Sequence, residues 1–402
     1  MKILLLCNKS PWPPLEGGPI AMNAMVTGLM SAGHQVKVLA VNSNKYGISN
    51  ESIPEGYRSV TGIEMVYIDL TVRPLPAFFN LFTGKSYHVE RFISESFKDA
   101  LKGILKTDTF DIIQFETLFT SPYLSLIRSM SDARIVLRAH NIEHLIWQRI
   151  ANGCSNPLKR IYLSHLARTL RRYELDILKK VDGIAAITDK DAEFFRSVAP
   201  ETPVTSIPFG IPSKDSMELI PVKPANTSPT LFHLGSMNWI PNQEGISWFI
   251  RDVWPAINRK FPLLKFHLAG REMPAWIRNI NINGIVVDGE VPDALKYMQL
   301  HSIMIVPLFS GSGIRIKIVE GMLAGKVIIT TAIGAEGINY TDGLNILIAN
   351  DAEGFINAVD KCLNAPGMIE NLGQNARKLV MKDHNNEDLM RKISEFYVSI
   401  GQ

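Results

Sequence analysis

Short apolar runs punctuate the chain, separated by longer stretches in which apolar residues return at the three- and four-residue spacing of a helix. Nine runs read as strands: residues 2–8 (KILLLCN), 35–41 (QVKVLAV), 111–116 (DIIQFE), 134–140 (RIVLRAH), 182–188 (DGIAAIT), 230–236 (TLFHLGS), 264–270 (LKFHLAG), 302–308 (SIMIVPL) and 326–331 (KVIITT). Each is nearly continuous in apolar residues rather than alternating. Strands covered on both faces look like this, as in a parallel sheet flanked by helices. Strands separated by helices imply repeated βαβ units and a doubly wound α/β fold.

The pattern breaks once. Residues 206–230 carry prolines at 208, 212, 221, 224 and 229 with little helical periodicity, as a semi-rigid linker does. Strand, glycine turn and helix then begin again as they did at residue 2. The expectation is two Rossmann-like domains facing each other across a cleft, residues 1–208 and 209–383. Residues 384–402 should form an amphipathic helix packed across the domain junction.

Composition narrows the class. The 402 residues, 46% hydrophobic and 20% charged, suffice for two such cores. A formal net charge of +3 gives no support to a nucleic-acid partner. Cys7, Cys154 and Cys362 lie far apart, fit no metal spacing, and read as free thiols of a reducing compartment. The N-terminal apolar run is too short for a signal segment, and no stretch approaches the roughly 20 apolar residues of a membrane span. A cytoplasmic protein is expected.

Four segments carry candidate chemistry or a candidate contact. After the first strand, Gly17 and Gly18 precede Pro19 and a helix that Gly33 closes. There backbone N–H groups can meet an anion at the helix N-terminus, unless the glycines are only a flexible turn. In RAHNIEHLIW (138–147), His140, Glu143 and His144 match the inverted zinc-protease spacing H-x-x-E-H. That chemistry needs both histidines on one helix, whereas His140 ends a strand. The competing readings place His140 at a strand's carboxyl end facing the cleft, or in the core. Residues 157–180 read as one long helix started by Asn156 and Pro157. Leu158, Ile161, Leu166, Leu170, Tyr173 and Ile177 share one face, with seven lysines and arginines on the polar side. This is either a solvated face or a peripheral contact with an anionic membrane surface.

The fourth segment is GSGIRIKIVEGMLAGK (311–326), at the carboxyl end of the strand 302–308. It is neither G-x-G-x-x-G nor a P-loop. Arg315 and Lys317 fall in the first helical turn, where they can clamp a diphosphate. Glu320, one turn on, can accept two hydrogen bonds from vicinal ribose hydroxyls. The alternative is a Lys317–Glu320 pair on a solvated face.

With its flanks, this segment resembles the signature of family 4 retaining glycosyltransferases, which have the GT-B fold. PWPPLEGG…GLMSAGHQVKVL, RAHNIEHLIWQR, HLGSMNWIPNQEGISWFIRDVWPAI and VPLFSGSG are similar to other blocks of that family, so the resemblance spans most of the chain. It implies transfer of a sugar from a nucleotide diphosphate, UDP- or GDP-linked, to a glycan or lipid-linked acceptor, with no metal and no further cofactor. By resemblance, Gly17 and Gly18 lie near the donor phosphate and acceptor, and His140 beside the transferred sugar. Glu320 matches the second glutamate of an E-x7-E motif, and Ser312 stands where the first would be. Ser312 can still bond the sugar, as can the amides of Gly313 and Ile314. The basic pair that many members place after the domain's first strand is missing beside Gly235. Lys317, then Arg315 or Arg271, would carry the diphosphate instead. An epimerase or hydrolase of sugar nucleotides, and a non-catalytic two-domain binding protein, are the competing functions.

Overall fold

A computed structural model describes the chain except residues 15–16, 45–46, 73–79, 82, 212–227, 312 and 402. The chain divides into Met1–Pro212 with Asn386–Gln402, and Ser213–Asn385. The C-terminal helix Asn386–Gly401 therefore belongs to the first unit. The expected linker 206–230 lies largely outside the described residues.

The first unit is built on a seven-stranded parallel sheet of order β3-β2-β1-β4-β5-β6-β7. Its strands are β1 Lys2–Cys7, β2 Gln35–Ser43, β3 Glu64–Ile68, β4 Ile112–Glu116, β5 Arg134–Ala139, β6 Gly183–Ala186 and β7 Val204–Ser206. In β1, Leu5 sits opposite Val38 on one side and Gln114 on the other. Ile3 and Leu5 pack with Met22 and Val26 of the helix Gly17–Ser31, and with Leu389, Ile393 and Tyr397 of the C-terminal helix. Leu4 and Leu6 face the other layer, with Phe97, Leu101 and Phe115. Both faces are covered, which is why β1 is an unbroken apolar run.

The second unit repeats the plan in six parallel strands, order β10-β9-β8-β11-β12-β13. They are β8 Leu231–Leu234, β9 Phe266–Ala269, β10 Ile285–Gly289, β11 Ile303–Val306, β12 Val327–Thr330 and β13 Leu347–Ile348. Ile303, Ile305, Val327 and Ile329 pack against Ile246, Phe249, Trp254 and Phe355.

All nine expected strands are present, each within two residues of its expected ends. The four unforeseen strands, β3, β7, β10 and β13, are the outer strands of the two sheets. In each sheet the order reverses beside the first strand, between β1 and β4 and between β8 and β11. Open α/β sheets bind ligands at the strands' carboxyl ends at such points.

Candidate active site

In the first unit, the carboxyl ends of β4 and β5 converge on a buried polar network. Glu116 ends β4, Arg138 lies near the end of β5 and His140 follows it. The Glu116 carboxylate accepts from Arg138 Nη1 at 3.2 Å, from Gln114 Nε2 at 2.6 Å and from His140 Nε2 at 2.9 Å. Gln114 in turn accepts from the Tyr397 hydroxyl at 2.5 Å. Burial alone would raise the Glu116 pKa, but the Arg138 charge and the His140 and Gln114 bonds hold it below the usual range. Burial pushes the His140 pKa down despite that carboxylate. The ring is therefore neutral, and with Nε2–H donated to Glu116 it keeps a lone pair on Nδ1. Such a nitrogen can accept a hydrogen bond from a hydroxyl.

Gly17 and Gly18 open the helix Gly17–Ser31, with Pro19 its third residue. A Cβ on Gly18 would stand 2.7 Å from Lys9 Cε and 3.0 Å from its Nζ. Glycine thus lets the Lys9 ammonium lie against the helix N-terminus, where two sources of positive potential coincide. The helix ends in a left-handed Gly33 (φ 83°), with Gly33 N–H donating to Met30 O and His34 N–H to Leu29 O.

The H-x-x-E-H spacing dissolves in three dimensions. His140 lies outside the helix Glu143–Asn152, whereas His144 lies within it. His144 Nδ1 meets Glu174 Oε2 at 2.5 Å, and the Glu143 and His144 amides donate to the same carboxylate. Glu174 thereby caps that helix. Burial and the Glu174 charge raise the Glu143 pKa to about 8. Glu174 comes from the helix Pro157–Leu178, where Asn156 Oδ1 accepts from Lys159 N–H at 3.0 Å. Of the apolar face read from sequence, Leu166, Leu170 and Ile177 are buried, but Leu158 is 79% exposed and Ile161 68%.

In the second unit, the turn after β11 uses Gly311 (φ 108°) and Gly313 (φ 78°) in backbone conformations that disfavour other residues. Ser312 lies outside the described residues. Ile314 and Arg315 follow, and the helix Ile316–Leu323 begins one residue later than expected for Arg315. Arg315 is buried, donates from Nη1 to Gly313 O at 2.8 Å, and lies over the Trp239 ring at 5.4 Å. Lys317, in the first turn, donates to Asn242 Oδ1 at 2.7 Å and lies 3.5 Å from His233 Nε2.

His233 Nδ1 bonds the Ile305 carbonyl at 2.8 Å, which leaves Nε2 an acceptor toward Lys317. Thus β8, β11 and two helix starts converge on one ammonium. A Cβ on Gly235 would stand 3.0 Å from that Nζ. Burial and the Arg315 charge lower the Lys317 pKa to about 7, and burial raises that of Glu320 to about 7. Among the described residues, neither side chain has an ion-pair partner, so the solvated Lys317–Glu320 pair does not form. Arg271 instead pairs with Glu290 at 3.4 Å.

Lys9, Glu116, Arg138, His233 and Asn242 escaped sequence reasoning. For all but Asn242, which lies in the helix Ile240–Trp248, the usable signal was a polar or charged residue inside or just beyond a buried apolar strand, as in DIIQFE and TLFHLGS.

Residues 228–365, which contain this Lys317 centre, match a known family model. The match is to glycosyl transferases group 1. The chain is 20% identical to an uncharacterized 44.6 kDa protein in the cps region of Klebsiella pneumoniae, covering 98% of both chains. Sucrose-phosphate synthase from Thermosynechococcus elongatus superposes with a TM-score of 0.70 at 15% identity, covering 100% of this chain and 99% of that one. Anabaena HepE in complex with UDP-glucose gives 0.65 at 14% identity, covering 99% and 100%. The fold is GT-B, two Rossmann-like units in one chain. The family match supports a glycosyltransferase.

Proposed function

We propose that the chain is a retaining, metal-independent glycosyltransferase of family 4. In this reading it moves a sugar from a UDP- or GDP-linked donor to a glycan or lipid-linked acceptor in cell-surface polysaccharide synthesis. One observation carries it: the glycosyltransferase match falls on the unit where Lys317, Asn242 and His233 gather at the sheet's switch point, with Glu320 one turn on from Lys317. The relative in a cps region supports the pathway, and the UDP-glucose complex of a like fold supports the donor.

Lys317 is held short of full charge by burial, and an anionic diphosphate restores that charge on binding. The amides of the turn 313–317 add fixed positive dipoles for the same group. Glu320, with no ion-pair partner among the described residues, receives the ribose hydroxyls. When the bond from the anomeric carbon to the diphosphate breaks, its charge develops against preorganised donors. The acceptor oxygen forms its bond on the same face, and its proton passes to the departing phosphate oxygen. In the first unit, the lone pair on His140 Nδ1 is an acceptor suited to a sugar hydroxyl, the role the family resemblance assigns it.

Lys317→Ala should lower kcat by roughly 10²-fold or more with the fold intact; near-normal turnover sinks the assignment. A thermal-shift series with UDP, GDP, ADP and TDP identifies the base, since a ligand at 100 times its Kd stabilises by about 2.7 kcal/mol. NMR of the product must show the donor's anomeric configuration, and inversion overturns the retaining reading. Initial rates should survive chelation at a temperature where the fold is intact.

A peripheral contact with the inner face of a membrane is part of this proposal. No described helix is long and apolar enough to cross a membrane. The first turns of the helix Pro157–Leu178 nevertheless expose Leu158 and Ile161, with Lys159 and Arg160 between them. An anionic bilayer suits that mixture. Vesicles of phosphatidylglycerol should sediment with the protein more than neutral ones, and Leu158→Asp with Ile161→Asp should abolish the difference.

A further inference from the structure

A second polar cluster lies in the unit Ser213–Asn385 and shares no residue with the Lys317 centre. His267 is the second residue of β9. Asp288 sits where the pairing of β10 with β9 shifts register between Val287 and Gly289, and such an irregularity re-aims a side chain. His301 lies between the helix Ala294–Gln299 and β11. One ligand atom from each of the three lies within 4.8 Å of the other two.

The surroundings hold these groups as a metal's outer partners do. His301 Nδ1 lies 3.0 Å from the Thr230 hydroxyl; donation of Nδ1–H there leaves the lone pair on Nε2. The Phe232 ring stacks on His301 at 5.3 Å, and the His267 ring lies 4.5 Å away. Asp288 Oδ2 accepts from the Tyr297 hydroxyl at 2.7 Å and faces His267 Nδ1 at 3.0 Å. That 3.0 Å is a few tenths of an ångström short of the roughly 3.3–3.6 Å between two ligands of a tetrahedral ion at about 2.0–2.2 Å each, so a small opening admits the ion. His267 and Asp288 are partly exposed, so an ion has a route in and water can complete its coordination.

We propose that His267, Asp288 and His301 bind a divalent transition metal of the zinc class, with one position left to water. Two imidazoles and a carboxylate are the donor set that zinc and its neighbours take. The ion would tie the outer strand β10 to β9 and to the residues that lead into β11.

The test uses the full chain, stripped with chelator and studied without donor or acceptor, so it stands apart from the transferase reading. Cobalt(II) titration should produce the visible absorption of a four-coordinate site at one equivalent. Zinc should compete it away and raise Tm by roughly 5–10 °C at 100 times its Kd. His267→Gln and Asp288→Asn, both at partly exposed positions and checked for fold by circular dichroism, should lose the absorption and the shift. No stoichiometric uptake by the parent chain, or uptake that persists in both variants, overturns the proposal.

Discussion

Burial shifts the pKa values of two residues in the second unit in opposite directions, and this gives a pH signature. Folding raises the Glu320 pKa from 4.5 to about 7 through burial. Between those values the folded chain holds the extra proton, so this residue's contribution to stability falls as pH rises from 4.5 to about 7. Lys317 is opposite in sign. Its pKa drops from 10.5 to about 7, the unfolded chain holds the extra proton across that window, and stability rises with pH through it. Glu320→Gln should therefore flatten the acidic limb of a plot of denaturation midpoint against pH. Lys317→Met should flatten the alkaline limb. If each variant merely shifts the whole curve, the two charges are not strained. These two residues were legible in the sequence because they stand in the first turns of a helix that follows a glycine-rich turn. Their partners were not: His233 and Asn242 lie more than seventy positions from Lys317 in the chain, and only the sheet order joins them.

The elements themselves divide along the same line. Inner strands are covered on both faces and announce themselves as apolar runs. The outer strands are half covered, and EMVYI (64–68) and IVVDG (285–289) carry the mixed polarity that follows. Helix packing sets a second limit on what sequence shows. Gly245, inside the helix Ile240–Trp248, reads as a weak helix former, yet a Cβ there would stand 1.9 Å from the Pro307 carbonyl oxygen. Glycine lets the helix rest on the backbone beyond β11, where overpacking cannot be relieved by a rotamer change. Gly103, in the helix Glu95–Thr107, meets nothing within 4 Å. Gly245→Ala should thus destabilise by about 1–3 kcal/mol or more, and Gly103→Ala should stabilise by about 0.5–1 kcal/mol. Chemical denaturation measures both, and equal effects of one sign would refute the packing argument.

At the scale of the whole molecule, the chain completes most of one unit, builds the other, and returns to finish the first. The unit Ser213–Asn385 is continuous, with its own sheet and core. The first lacks a layer until Asn386–Gly401 arrives. That helix buries Leu389, Met390, Ile393, Tyr397 and Ile400 against Ile3, Leu5, Val38 and Ile207. Full burial of such side chains stabilises by about 1.5–3 kcal/mol each, so the helix supplies a sum comparable with the 5–15 kcal/mol that keeps a domain folded. Its Tyr397 hydroxyl also satisfies Gln114, which bonds the carboxylate that orients His140. Gly28 admits the helix closely, since a Cβ there would stand 2.6 Å from Met390 Sδ. Residues 213–385 expressed alone should therefore unfold cooperatively. Residues 1–212 should be unfolded or expanded, and a peptide of residues 386–402 should restore cooperative unfolding with a Tm that depends on peptide concentration. Tyr397→Phe in that peptide should weaken the rescue by leaving the Gln114 oxygen buried without a donor. If residues 1–212 fold equally well without the peptide, the C-terminal helix is an ornament of the first unit rather than one of its layers.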